Sequence, residues 1–136
     1  MIRLITGHIC SGKSTWVRDH AVAGDVVIDL DRIAIAISAE CTTHHEYSDT
    51  VRELARSVRW SLVNAAARLH LYSRGGWDLW IIHAYPSETD VANYRRIGAI
   101  VKEMRAEPDV LIQRAALERP ERMRRVLGKM LAKAEC

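Results

Sequence analysis

Near the amino terminus the run Gly7-His8-Ile9-Cys10-Ser11-Gly12-Lys13-Ser14 sets two glycines, a lysine and a hydroxyl at the spacing G-x-x-x-x-G-K-[ST]. That spacing suits one chemical task, wrapping the phosphates of a nucleoside triphosphate in backbone N–H groups. Glycine allows the tight turn and the close approach of backbone to phosphate. A helix beginning at Lys13 aims its positive end at the same oxygens. Lys13 then faces the β- and γ-phosphates as a point charge, and the Ser14 hydroxyl reaches Mg²⁺. The expected contacts of ATP or GTP are therefore Gly7, Ser11, Gly12, Lys13 and Ser14, with Thr15 beside them.

Transfer of a phosphoryl group to a substrate needs a carboxylate that accepts the proton of the attacking hydroxyl. Asp29 and Asp31 stand in the stretch VVIDLDR, at the end of an expected strand. In a parallel sheet the strand carboxyl ends share one edge with the glycine loop. Asp31, in the strand-to-helix turn, is the candidate general base; its alternative reading is a plain cap for a helix over residues 32–38. Asp29 either steadies the waters of Mg²⁺ or is a turn residue. Arg52, Arg56 and Arg59 recur at i, i+4 and i+7 as a basic stripe with Trp60 beside it. Such a stripe is either a solvated face or a row of phosphate contacts with a stacking surface. His44-His45 has no acid or cysteine partner at ligand spacing, and Cys10 is expected to pack.

The elements that must position these groups follow from apolar periodicity and turn residues. Strands are expected over residues 2–6, 26–28, 77–83 and 98–104, and helices over 13–20, 32–38, 48–72 and from 86 to 96. Residues 41–47 read as a polar loop. On the long helix Val51, Leu54, Ala55, Val58, Leu62, Ala65, Ala66 and Leu69 form one apolar face, which sets the basic stripe opposite it. Gly75-Gly76 ends that helix, and Pro108 and Pro120 each suit a first helical turn. Met123, Val126, Leu127, Met130, Leu131 and Ala134 give the last helix its apolar face. Strands alternating with helices imply an α/β fold, a parallel sheet covered on both sides.

The chain has 136 residues, the size of a single domain spanning 1–136. Its 49% apolar and 27% charged residues are ordinary for a globular protein. No uninterrupted apolar run nears the roughly 18 residues of a membrane span, and the amino terminus lacks a secretory layout. A cytoplasmic location is the expectation, with no membrane partner. Cys10, Cys41 and Cys136 are odd in number and form no CxxC, so neither a disulfide framework nor a zinc site is indicated. A net charge of +3 permits a phosphate-rich partner without requiring one.

The stretch GHICSGKSTWVRDH, followed after a short gap by VVIDLDR, resembles the kinase domain of the phage-type polynucleotide 5′-kinases. The specific likeness covers about the first 35 residues; beyond them the likeness is to the wider P-loop kinase group. The resemblance implies a P-loop NTPase fold with about four parallel strands, and γ-phosphoryl transfer to a 5′-hydroxyl end of RNA or DNA. It carries Lys13 and Ser14 over as phosphate and Mg²⁺ ligands and Asp31 as general base. It also implies a carboxyl-terminal lid in which Arg114, Arg119 and Arg122 neutralise phosphate charge, as an arginine fork does well. Catalytic roles fall to Arg119 or Arg122.

Two positions depart from the family pattern. An arginine usually three residues after the base is Ala34 here, and an acid often found at the end of the third strand gives way to His83 and Ala84. Arg32, Arg52 and His83 are candidates to hold the acceptor instead. No Walker-B acid is evident, which speaks against a motor ATPase. Two other readings stay open: a kinase for a nucleoside, nucleotide or other small metabolite, and a regulatory nucleotide-binding switch without phosphotransfer. ATP against GTP, RNA against DNA and the oligomeric state are not distinguished at this level.

Overall fold

A computed structural model describes residues 1–39, 46–119 and 121–135, with side chains described through Lys133. Expectations that fall on Cys41, His44, His45, Pro120, Cys136 and the Ala134 side chain lie outside the described residues. The order of elements is β1 (Ile2–Thr6), α1 (Lys13–His20), β2 (Val26–Asp29), α2 (Leu30–Ile37), α3 (Asp49–Tyr72), β3 (Leu79–Ile82), α4 (Glu88–Arg96), β4 (Ile100–Glu103), α5 (Pro108–Glu118) and α6 (Glu121–Glu135). Among the described residues no helix is long and apolar enough to cross a membrane.

Four parallel strands form one sheet in the order β2-β3-β1-β4. Side chains alternate between its faces. On one face Ile2, Leu4, Ile28, Leu79 and Ile81 pack with Val63 and Ala66 of α3 and Tyr94 of α4. On the other, Ile5, Trp80 and Ile82 pack with Val17 of α1. The helix after β1 and the helix after β3 therefore lie on opposite faces. In an open parallel sheet such a divergence makes a crevice at the carboxyl ends of the two strands. A third cluster stands apart from the sheet: Ile9 and Cys10 of the loop after β1 pack on Leu111, Ala115 and Leu127 of α5 and α6.

Caps follow the local sequence. The Ser48 hydroxyl accepts from the Val51 N–H at 3.2 Å, and Ser87 and Asp90 complete a reciprocal capping box. Helix α2 corrects one expectation: Asp29, not Asp31, is its N-cap, with its carboxylate accepting from the Asp31 N–H at 3.3 Å. The helix accordingly begins at Leu30, earlier than expected.

The long helix corrects a second expectation. Its inward residues are Ala55, Arg59, Val63 and Ala66, whereas Leu54, Val58, Leu62 and Leu69 are exposed. The apolar arc of α3 is wider than the sheet beneath it, and the small side chains of Ala55 and Ala66 allow the closest approach. The helix settles on its small edge, which turns Arg59 inward to 7% exposure. The basic stripe thus does not lie opposite the buried face; one member belongs to it.

The loop after β1 is pinned at Gly7. Its N–H donates to the Ala84 carbonyl at 3.3 Å, and Met104 N–H donates to the Thr6 carbonyl at 2.8 Å. Gly7 adopts φ 132°, and a Cβ there would sit 2.3 Å from the Met104 carbonyl oxygen. Gly24 also has positive φ but open space around it. Gly7→Ala should therefore destabilise the fold by about 3 kcal/mol or more, against about 1–2 kcal/mol for Gly24→Ala. Urea unfolding of both variants checks this, and equal losses would refute the crowded seat.

Candidate functional site

A cavity of about 680 Å³ opens at the carboxyl ends of β1, β2 and β3, within the size range of small-molecule sites. Its floor is the loop from Ile9 to Gly12 with the start of α1, from Lys13 to Trp16. One wall carries Asp29 and Asp31 from the end of β2, and another carries Arg52, Arg56 and Arg59 from α3. His83, Ala84 and Tyr85 follow β3, and Arg114, Arg119 and Arg122 come from α5 and the start of α6. The lining holds seven cationic side chains against four carboxylates. Such a surface attracts anions.

The floor is a tightly turned backbone. Cys10 and Gly12 have φ 63° and 91°, and Gly12 is the N-cap of α1. Unlike α2, α3 and α4, helix α1 has no side-chain cap and no acid in its first turn. Its first N–H groups therefore present the helix's positive end without a built-in counter-charge. Lys13 is buried, and its Nζ donates to the carbonyls of Gly7 (2.7 Å) and His8 (2.5 Å) and to Ser11 Oγ (3.3 Å). Burial, reinforced by Arg119, pulls its pKa down to about 8. An oxyanion beside it would reverse that shift. Ser14 and Thr15 are exposed and line the cavity.

Cys10 packs with α5 and α6, as expected, and burial pushes its thiol pKa up. Arg114 Nη1 donates to the Cys10 carbonyl at 3.0 Å, so this arginine grips the loop backbone. Tyr85, which sequence reasoning missed, accepts from the Ile9 N–H at 3.3 Å through its hydroxyl.

Around the two aspartates the geometry is specific. Asp29 is engaged as the α2 cap, whereas Asp31 turns its carboxylate to Tyr47, whose hydroxyl donates to Oδ1 at 2.6 Å. The Arg52 guanidinium lies 5.0 Å from the centre of the Tyr47 ring and pairs with Asp49 at 3.0 Å. Burial, then the Asp31 hydrogen bond, raises the Tyr47 pKa, so Tyr47 stays a donor. Tyr47 was read as the end of a loop; only tertiary contact reveals it. Arg122 Nη1 donates to the same Asp49 at 2.5 Å, tying the start of α6 to the start of α3.

Arg59, like Lys13, is a buried cation on the cavity. Its Nη2 lies 3.3 Å from His83 Nε2, and His83 Nδ1 lies 3.0 Å from the Tyr94 hydroxyl. Burial, with Arg59 beside it, lowers the His83 pKa to about 4. His83 is therefore neutral, and the contacts fit a ring that accepts at Nε2 and donates from Nδ1. Two further placements differ from expectation. Arg32 is exposed and does not line the cavity. Trp60 stacks on Tyr94 at 4.7 Å within the core and so offers no platform to a nucleic-acid strand.

Mg²⁺ characteristically keeps several waters and takes one or two protein oxygens plus phosphate oxygens. Ser14 and Asp29, both on the cavity, form a donor set of that kind. Among the described residues no cluster of three or more His, Cys, Asp or Glu could hold a metal ion by itself. A cation here would depend on a phosphate ligand.

The sequence matches no protein-family model and no curated protein significantly, so the functional reading rests on the chemistry of this cavity.

Proposed function

We propose that the chain is a P-loop kinase that transfers the γ-phosphoryl group of ATP or GTP to the 5′-hydroxyl end of RNA or DNA. The observation that carries the reading is the shared cavity. Lys13 and the uncapped start of α1 lie on its floor, Asp31 held by Tyr47 lies on one wall, and arginines face both. A triphosphate seated on the loop would meet Lys13 and Ser14, and Mg²⁺ held by Ser14 and Asp29 would offset the phosphate charge. The acceptor hydroxyl approaches from the Asp31 side and gives its proton to that carboxylate as the new P–O bond forms, while the bond from the γ-phosphorus to the β–γ bridging oxygen breaks and the nucleoside diphosphate leaves. The Tyr47 hydrogen bond fixes the carboxylate's orientation. Arg119 and Arg122, at the join of α5 and α6, act as a lid over the transferring group.

One observation favours a second reading, a kinase for a nucleotide or another small phosphorylated metabolite. Arg59 is buried rather than displayed on a surface stripe, so it suits a compact acceptor better than a long strand.

The decisive assay offers γ-labelled ATP or GTP with Mg²⁺ to oligonucleotides bearing 5′-hydroxyl ends, nucleosides and mononucleotides. Lys13→Ala should abolish transfer. Asp31→Ala should cost roughly 10²- to 10⁴-fold in turnover with triphosphate binding nearly intact, the loss expected of a general base. Near-normal turnover in Asp31→Ala would end that assignment.

Tyr47→Phe keeps the ring under Arg52 and deletes only the hydroxyl. It should lower kcat about tenfold, with triphosphate KM unchanged, as loss of an orienting contact does. An unchanged kcat would make the Tyr47–Asp31 bond purely structural.

Arg119→Ala and Arg122→Ala should lower kcat more than they raise KM if these side chains meet the phosphoryl group in transit. If melting temperature responds and kcat does not, the lid roles are wrong.

A further inference from the structure

The settling of α3 on its small edge leaves the rest of its apolar arc uncovered. Leu54, Val58, Leu62, Leu69 and Tyr72 share one stripe, because at about 100° per residue they fall within an arc of about 80°. They are 41% to 80% exposed, and Ala65 in their midst is small and half-buried. The stripe is roughly 27 Å long. A single exposed leucine is ordinary; five large apolar side chains in one row on one helix are not. Their open surface is roughly 500 Å², in the upper part of the range that monomers carry as a single patch. None of the five lines the cavity, and the α3 residues that do, Arg52, Arg56 and Arg59, stand on the other side of the helix.

The residues that flank the stripe indicate what covers it. Ser57, Ser61 and Asn64 are exposed and uncharged, and the two serines are small enough for another helix to approach closely. Charge enters this flank only towards its ends, as exposed Glu53 and exposed Arg68. Glu53 meets Arg56 at 2.8 Å, but that pair is exposed and contributes little. The pattern has an internal symmetry. Leu54 and Leu69 are centred on Ser61 to within one residue, and so are Glu53 and Arg68. A second α3 turned end over end about that point sets Leu54 against Leu69, Val58 against Ala65 and Glu53 beside Arg68, each contact made twice. Antiparallel helices bring the same flank of each copy together, so opposite charges meet. In a parallel pair Glu53 would face Glu53 and Arg68 would face Arg68, which is costly.

We propose that this face of α3 is a homodimer interface, in which two copies of the chain pair through antiparallel α3 helices about a two-fold axis at Ser61. With the flanking polar residues added, the contact approaches the roughly 800 Å² per partner of a standard interface. Burial of the apolar stripe supplies the affinity. The two Glu53–Arg68 contacts fix orientation and register. Both cavities stay open, since no residue of the stripe belongs to them. Arg52, Arg56 and Arg59 lie in the first half of α3, so the antiparallel pairing places the two cavities towards opposite ends of the seam. The interface does not depend on the nucleotide chemistry proposed for the cavity.

Sedimentation velocity of the full chain over a range of concentrations reads the association. Wild type should form a dimer and nothing larger, because an isologous contact closes on itself. Leu69→Glu puts a charge into the seam and should raise the dimer Kd by about a hundredfold or more. Leu69 is 65% exposed, so the monomer should tolerate the change, which an unaltered helical circular dichroism spectrum verifies. Glu53→Arg and Arg68→Glu should each weaken the dimer about tenfold, and the double reversal should restore it to within a few fold. That recovery is one a general loss of folding could not give. A wild type that stays monomeric up to its highest soluble concentration would overturn the interface. If its melting temperature then falls in Leu69→Glu, the face is covered within one chain, which overturns it equally. A dimer indifferent to Leu69→Glu would place the contact on another surface. A dimer weakened by both single reversals and not rescued by the double would refute the antiparallel register.

Discussion

The seat of Gly7 between the ends of β3 and β4 governs the geometry of everything around it. Both strands flank β1, and both reach the loop: Ala84 through its carbonyl, Met104 through the backbone that leaves no room for a Cβ. The loop cannot therefore shift without moving the strand ends that carry His83 and Tyr85. Tyr85 returns the constraint by holding the Ile9 N–H. On the far side, Ile9 and Cys10 are embedded among α5 and α6 residues, and Arg114 grips the Cys10 carbonyl. The helices that bring Arg119 and Arg122 to the cavity are thus packed on the loop itself and not on the sheet. The loop and those two helices thus share one closely packed cluster.

Charge is the second organising constraint. The cavity brings Lys13 and six arginines together in a partly dehydrated space, and they repel one another. At Lys13 burial, reinforced by the Arg119 charge, lowers the pKa to about 8. Arg59 and Arg119 each have a buried Nε with no hydrogen-bond partner. Other cations are compensated by carboxylates: Arg52 and Arg122 share Asp49, and Arg56 pairs with Glu53. The Arg122 pairing is exposed, so it contributes little to stability and is readily exchanged for a stronger anion. Arg119 pairs with Glu118 at 3.8 Å, which leaves Arg59 as the buried cavity arginine with no carboxylate partner among the described residues.

Much of this was legible from the chain before any fold was known. The glycine spacing located the loop, and β-branched runs between turn residues located the strands, because both signals are local and strong. Asp31 was legible as a cavity residue, but not its partner: Tyr47 lies sixteen positions away, across a segment with no periodicity, and nothing local links the two. The face of α3 was misread for a different reason. Hydrophobic periodicity identifies an apolar arc, but which part of a wide arc is covered depends on where small residues permit close approach. Ala55 and Ala66 decided that, and with it the burial of Arg59. Trp60 followed the same rotation, from supposed surface platform to a partner for Tyr94.

That rotation bears on the two alanines at which the chain departs from the polynucleotide-kinase pattern. Ala34 is fully buried on α2, a helix packed on α3, so an arginine at this position would have to displace core contacts to reach the cavity. Ala84 lies at the cavity, but its carbonyl is committed to Gly7. Neither position carries charge. On the reading proposed here the acceptor's anchoring passes from α2 and the strand end to α3, where Arg59 and Arg56 approach along one helical face. Two arginines on a single rigid helix keep a fixed separation, whereas residues on separate elements move relative to one another. Arg59 and Asp31 are both held by hydrogen-bonded neighbours, His83 and Tyr47, so the two walls of the cavity present their charges from fixed positions.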